Sequence, residues 1–258
     1  MQAPDKIFYK DSDDPKEVLL LYKQHHDNNY DRIKEKIIKK AILETQKERW
    51  ENMQVLDIGA GGGIFTRFFL DLGSRVTALD YSQAVIEANR IDNPEAEFIC
   101  GDASTIKFEK KFDFIFAKDI IEHIQDDGRF LKNISDGMEQ GGYVLINTQN
   151  SFSFNFLVEK IYNLLIGNRN WMGWNPDHVR FYNYWTLKDK LLRNNLVPLR
   201  WFGSYYFPYR GFAHFLGKPG EHLEWRIFRA IEILNLWGIW PFNISGWNIG
   251  VLAKKTKI

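Results

Sequence analysis

Val55-Leu-Asp-Ile-Gly-Ala-Gly-Gly-Gly-Ile-Phe-Thr66 decides how the rest of the chain is read. A short apolar run ends in glycines, which permit a tight turn and put no Cβ between the backbone and a ligand. Apolar residues at helix spacing then predict a helix over 64–72. The same alternation continues outward. Arg75-Val-Thr-Ala-Leu-Asp80, Ala96-Glu-Phe-Ile-Cys100, Phe112-Asp-Phe-Ile-Phe-Ala117 and Gly142-Tyr-Val-Leu-Ile-Asn147 read as buried strands. Helices are predicted over 82–90 and 125–139 between them. Strands alternating with helices imply right-handed crossovers and a parallel sheet covered on both faces. Strands at 200–207 and 248–253, with a helix over 185–194, complete the pattern. The expected fold class is α/β, a doubly wound, mostly parallel seven-stranded Rossmann-like sheet. It carries N-terminal helices and two aromatic-rich helical inserts.

Composition narrows the function classes. The 258 residues carry 34 Lys+Arg against 33 Asp+Glu, a net charge of +1 that argues against a duplex DNA-binding surface. Charged residues make up 26%, a soluble globular share. A single cysteine, Cys100, excludes an internal disulfide framework and fits a reducing, cytoplasmic setting. It reads as a small core residue at the end of a buried strand. Met1-Gln-Ala-Pro-Asp-Lys6 has no signal-peptide pattern, and no apolar stretch approaches the roughly 20 residues of a membrane span.

Residues 1–17 read as a polar leader. From about Glu17 to Trp50 the spacing of Leu20, Leu21, Ile33, Ile37, Ile38, Ile42 and Leu43 is helical. The run from Lys34 to Lys40 reads as a solvated face. His25 and His26 read as surface residues. The domain division expected is 1–50 for leader and helices, then 51–258 for the α/β domain, with inserts at about 150–184 and 208–245.

The carboxylates choose the ligand. Asp80 closes the second strand about 20 residues after the glycine turn, where an acid can accept from both ribose hydroxyls. A dinucleotide fingerprint would place a third glycine at position 64, which is Ile64. Asp57 would be awkward beside pyrophosphate but suits a cationic amino-acid end. Asp102, in Gly101-Asp-Ala103, could accept from an adenine amino group. Three acids around one pocket fit a cation rather than a polyanion. S-adenosylmethionine is such a ligand. A nicotinamide-dependent oxidoreductase is disfavoured by the same residues; a non-catalytic module keeping the cofactor fold is the third class.

The pieces Asp57-Ile-Gly-Ala-Gly-Gly-Gly63, Asp80-Tyr-Ser82, Gly101-Asp-Ala103, Phe112-Asp-Phe-Ile-Phe-Ala117 and Gly141-Gly-Tyr-Val-Leu-Ile146 occur in order and spacing that resemble the class I S-adenosylmethionine-dependent methyltransferases. The resemblance covers about residues 50–150. It implies that Asp57, Gly59, Ala60 and Gly61 line the methionine portion, Asp80 binds ribose, Asp102 and Ala103 contact adenine, and Tyr81 flanks the ring. Lys118 joins the cofactor-binding candidates, with a substrate contact or a snorkelling side chain as its other readings. A helix around 22–31 is placed to close over the cofactor.

Ala117-Lys-Asp-Ile-Ile-Glu-His-Ile124 adds a second constellation. On a helical turn Asp119, Glu122 and His123 would share one face as i, i+3 and i+4. Together they could hold a divalent cation such as Mg or Zn, with His178 as a fourth ligand from the first insert. The competing reading makes Asp119 an N-cap and Glu122 the far end of a capping box. Without a metal, His123 or His178 could act as general base. The cluster, with Asn147-Thr-Gln-Asn-Ser151 and the later His178, resembles the O-methyltransferases of ubiquinone biosynthesis. Asp119 stands where that group has Glu, and the second insert is longer. The small-RNA 2′-O-methyltransferases carry a similar arrangement. The resemblance implies O-methylation of a small apolar or aromatic, quinone- or lipid-like acceptor, with C- or N-methylation and RNA 2′-O-methylation as alternatives.

The inserts read two ways. Leu223 to Trp240 is an amphipathic helix that packs on the domain, or else forms a greasy lid or a peripheral membrane contact, with Arg226 and Arg229 flanked by Trp225 and Phe228.

Overall fold

A computed structural model describes residues 14–26, 29–45, 50–169, 171, 177–204 and 239–256. The expected strands at 205–207 and the helix at 223–238, with Trp225, Arg226, Phe228 and Arg229, lie outside the described residues, as do residues 1–13. The side chains of His25 and His26 lie outside them too.

The elements are α1 (Pro15–His26), α2 (Asn29–Thr45), β1 (Gln54–Ile58), α3 (Ile64–Asp71), β2 (Arg75–Asp80), α4 (Gln83–Asp92), β3 (Glu97–Cys100), β4 (Phe112–Lys118), a 3₁₀ turn (Ile121–His123), α5 (Asp127–Gly137), β5 (Met138–Gln149), α6 (Phe154–Leu165), α7 (Tyr184–Arg193), β6 (Leu196–Ser204), the short α8 (Phe242–Ser245) and β7 (Asn248–Lys255). They build a 7-stranded sheet in the order β3-β2-β1-β4-β5-β7-β6. β7 runs antiparallel to both neighbours; the other pairings are parallel. The α/β class, the seven strands and the mostly parallel sheet are as the alternation implied.

Both sheet faces are buried because the crossovers lay helices on each. On one, Ile37, Ile38, Ala41 and Ile42 of α2 pack with Phe65 and Phe69 of α3 against Val55, Val76, Phe114 and Phe116. On the other, Phe130, Leu131 and Ile134 of α5 and Leu187 and Leu191 of α7 pack against Leu56, Ile115, Val144 and Val251. α1 instead lays Val18 and Leu19 on Val85 and Ala88 of α4.

Several expectations change. The polar leader is shorter, because α1 begins at Pro15, where a proline suits the first turn. The helix expected around 22–31 is the meeting of two, α1 ending at His26 and α2 starting at Asn29. Lys34 is not on a solvated face: it is 5% exposed, on the side of α2 that carries Ile37, Ile38 and Ala41. Cys100 is exposed rather than in the core, because β3 is the edge strand and half of its residues face out.

Register places the inserts. Gln149 pairs with Asn248, and Asn248 with Ser204. The chain therefore leaves β5 and β6 at the same end of the sheet, the end where β1, β2 and β4 deliver their C-termini. Ligands of open α/β sheets bind at that end. The first insert contributes α6, whose Leu157, Ile161, Leu164 and Leu165 are exposed. Among the described residues no helix is long and apolar enough to cross a membrane.

Candidate functional site

The glycine turn is held by a buried polar chain. Asp57, the fourth residue of β1, is 2% exposed, and its Oδ2 accepts from the Thr66 hydroxyl at 2.8 Å. Thr66 in turn accepts from Asn89 Nδ2 at 3.2 Å, and Asn93 Nδ2 donates to the Gly63 carbonyl and to Asn89 Oδ1. Helices α3 and α4 are thereby tied to the turn. Positive φ at Gly59 (67°) lets the backbone double back. A Cβ there would lie 2.1 Å from Ile120 Cδ1, so β4's exit packs directly on the turn. Burial pushes the Asp57 carboxyl up to about 7, with Asp80's charge adding to the rise and the Thr66 bond opposing it.

Asp80, at the end of β2, accepts from Gly61 N at 3.0 Å through Oδ2 and from Ser82 N at 3.1 Å through Oδ1. It spans the turn and the start of α4. Tyr81 beside it is 58% exposed. Asp102 Oδ1 accepts from Ser104 N and Oγ, both at 2.7 Å, and Ala103 is buried. The Tyr22 ring of α1 lies over the turn, within 2.8 to 3.0 Å of where side chains at Gly62 and Gly61 would begin. The turn, Asp57, Asp80 and the N-terminal helix therefore converge, with Ala60 among the buried residues of the same loop.

The acid–histidine cluster is arranged differently from the expected helical face. Asp119 has φ +55°, and its N–H donates to the Asn147 carbonyl at 2.8 Å, so the chain turns sharply before the 3₁₀ element. The i, i+3, i+4 relation is lost, and Asp119 caps nothing: the residue before the 3₁₀ turn is Ile120, with no side-chain cap bond. Its carboxylate faces Lys34 Nζ at 2.7 and 2.5 Å and Lys118 Nζ at 3.0 Å. Burial disfavours its ionisation, but the Lys118 and Lys34 charges outweigh that and hold it well below the usual carboxylate range.

Glu122, His123 and His178 do come together. Each offers a ligand atom, and these atoms lie within 4.8 Å of one another. Glu122 is 1% exposed; Oε2 accepts from Thr148 Oγ1 at 2.7 Å and Oε1 is a buried acceptor without a hydrogen-bond partner. His178 is also buried, and its Nδ1 has no hydrogen-bond partner. The imidazoles of His123 and His178 meet at 4.7 Å between centroids, inclined at 72°. His178 arrives from 55 residues away in the chain because Val179 N donates to the Glu122 carbonyl at 2.9 Å. The next residues are anchored below: Tyr182 donates to Asp127 Oδ2 at 2.7 Å, and Arg180 and Lys190 pair with the same carboxylate. Burial, then Asp119's charge, pushes Glu122 up to about 7. Burial, then repulsion from His123, pushes His178 down to about 4, leaving a neutral imidazole at neutral pH.

Sequence reasoning missed Lys34, Thr66, Thr148 and the Asp127–Tyr182 anchor. Only Lys34 had a legible signal: positions 34, 37, 38, 41 and 42 share one helical face.

Comparison with known proteins defines the class. A methyltransferase domain family profile matches residues 30–199. The chain belongs to that family and is an S-adenosylmethionine-dependent methyltransferase, which sets aside the nicotinamide alternative. It is 28% identical over 172 residues to a ubiquinone biosynthesis O-methyltransferase of Pelagibacter ubique, spanning 64% of this chain and 70% of that one. It is 27% identical over 165 residues to the protein of that name from Bradyrhizobium diazoefficiens, spanning 61% and 63%. Among solved structures, magnesium protoporphyrin IX methyltransferase of Synechocystis, with bound S-adenosylhomocysteine, shares the fold at TM-score 0.60 and 11% identity, covering 98% of this chain and 93% of that one.

Proposed function

We propose that this enzyme methylates an oxygen of a small apolar or aromatic acceptor, quinone- or lipid-like, beside a cation held by Glu122, His123 and His178. The observation that carries the reading is the convergence of those three side chains at the exit of β4. The two buried atoms without hydrogen-bond partners, Glu122 Oε1 and His178 Nδ1, fit a divalent ion. The relatives of matching name support an oxygen acceptor.

In this reading Asp80 accepts from the ribose hydroxyls, and Gly59, Ala60 and Gly61 let the methionine end lie against the backbone. Asp57 attracts its ammonium, Asp102 and Ala103 meet adenine, and exposed Tyr81 flanks the ring. Lys118, whose Nζ lies 3.0 Å from Asp119, joins them as a cofactor-binding residue. When bound, S-adenosylmethionine supplies an electrophilic methyl on its sulfonium. The chain aligns an acceptor oxygen with that methyl and excludes water. A divalent ion on Glu122, His123 and His178 would supply Lewis-acid character toward the acceptor hydroxyl. Without such an ion, His123 or His178 is the group placed to take the hydroxyl proton.

The test is transfer of labelled methyl into a metabolite and lipid extract, with and without exhaustive chelation. Label in the lipid-soluble fraction, lost on chelation and restored by added cation, is the expected outcome. Label confined to RNA or protein removes the acceptor class; activity unchanged by chelation removes the cation and leaves His123 or His178 as the base.

A further inference from the structure

We infer that Lys34 determines which class of cation the site accepts, by withdrawing Asp119 from the donor set. This rests on the reading of Glu122, His123 and His178 as a cation site. As a string of letters the segment offers two carboxylates and two imidazoles. The folded chain offers one carboxylate and two imidazoles, because both oxygens of Asp119 are engaged by Lys34 Nζ and one of them also by Lys118 Nζ.

The withdrawal is firm for three reasons. The Lys34 side chain is 6% exposed, so separating it from Asp119 would take a charged hydrogen-bond partner from a buried ammonium, which is strongly unfavourable. The positive φ of Asp119 breaks the helical turn that would have aligned it with Glu122 and His123, and Asp119 is not among the side chains whose ligand atoms lie within 4.8 Å of one another. Lys34 itself is delivered by α2, whose Ile37, Ile38 and Ala41 are locked into the core, so the ammonium cannot drift away with the helix.

Hard ions such as Mg²⁺ want near-octahedral oxygen shells, whereas imidazole nitrogens suit borderline ions such as Zn²⁺ and Co²⁺. Engaging both oxygens of Asp119 with ammonium groups removes an oxygen donor from the set. What remains, two histidines and one glutamate, is a borderline-ion set. Lys34 thus acts as a specificity-determining positioning residue without touching the ion.

The full chain, stripped with chelator, is titrated with CoCl₂ by visible absorption and with MgCl₂ by competition, while calorimetry with S-adenosylhomocysteine reports whether the fold is intact. Wild type should bind Co²⁺ at least about 100-fold more tightly than Mg²⁺. The variant carrying both Lys34→Met and Asp119→Asn, which removes both charges of the pair together, should keep Co²⁺ affinity within about threefold and the same absorption bands, since Asp119 is no ligand. Glu122→Gln should weaken Co²⁺ binding by at least about tenfold with S-adenosylhomocysteine binding kept. A loss of about tenfold or more, or displaced bands, in the double variant with ligand binding kept would make Asp119 a donor and overturn the inference. Should that variant fail to fold, the wild-type competition decides, because Mg²⁺ binding within tenfold of Co²⁺ overturns it equally. Absence of any Co²⁺ band in wild type sinks the cation reading itself, and the inference with it.

Discussion

Replacing Gly59 by alanine should disable cofactor binding more than it unfolds the protein, and the structure gives two separable causes. Gly59 has φ +67°, a conformation that costs an L-residue about 1–2 kcal/mol. The new Cβ would also sit 2.1 Å from Ile120 Cδ1 and 2.4 Å from Cγ1. Ile120 must rotate or the turn must shift, at about 1–3 kcal/mol. The sum, about 2–5 kcal/mol, equals about 30- to 5,000-fold in affinity if the turn relaxes out of its binding shape. Gly59→Ala should therefore weaken S-adenosylhomocysteine binding by that factor in calorimetry, with a smaller fall in Tm. Adding Ile120→Ala removes both clashing carbons and should recover the steric part, leaving the left-handed penalty of about 1–2 kcal/mol. Affinity within about threefold of wild type for Gly59→Ala would show that the turn does not touch the ligand. No recovery in the double variant would show that Ile120 is not the source of the cost.

Further outcomes follow from individual contacts. Asp57 is raised in the folded chain from 3.8 to about 7, so its contribution to stability is complete below about pH 4 and is lost as pH rises through about 7. The full span is about 4 kcal/mol, and Asp57→Asn should flatten that part of the ligand-free Tm-versus-pH curve; an unchanged slope refutes the assignment. Tyr182→Phe removes a hydrogen bond to the buried Asp127 carboxylate and should cost about 1.5–3 kcal/mol, read as a Tm drop of about 3–12 °C with faster amide exchange at Val179. Exchange at Val179 equal to wild type would mean the anchor does not hold the His178 segment. Asp80→Ala should weaken S-adenosylhomocysteine binding by about 1.5–3 kcal/mol, and an intact affinity would misplace the ribose.

The fold was legible because strand and helix periodicities are local. Four apolar strands with glycine or acidic ends, helices between them and a glycine turn leave few topologies once crossovers must be right-handed. The turn's role was legible for the same reason: glycine at a strand end needs no partner to announce itself. The exposed Cys100 was not, since strand order alone makes β3 an edge, and strand order is a property of the assembled sheet.

The sequence by itself determined the α/β class, the seven strands, the glycine turn with its acids and the candidates Glu122, His123 and His178. Only the tertiary structure decided which of those acids share a site. Asp119 and Glu122 are three residues apart, yet one positive φ sends the first to Lys34, 85 residues earlier in the chain, and leaves the second for His178, brought from the far side of β5. Spacing records what a regular helix would do with a side chain. The direction of a carboxylate at a sharp turn is set instead by whichever buried charge the packed helices bring against it, because an unpaired ammonium in the core costs more than a strained dihedral.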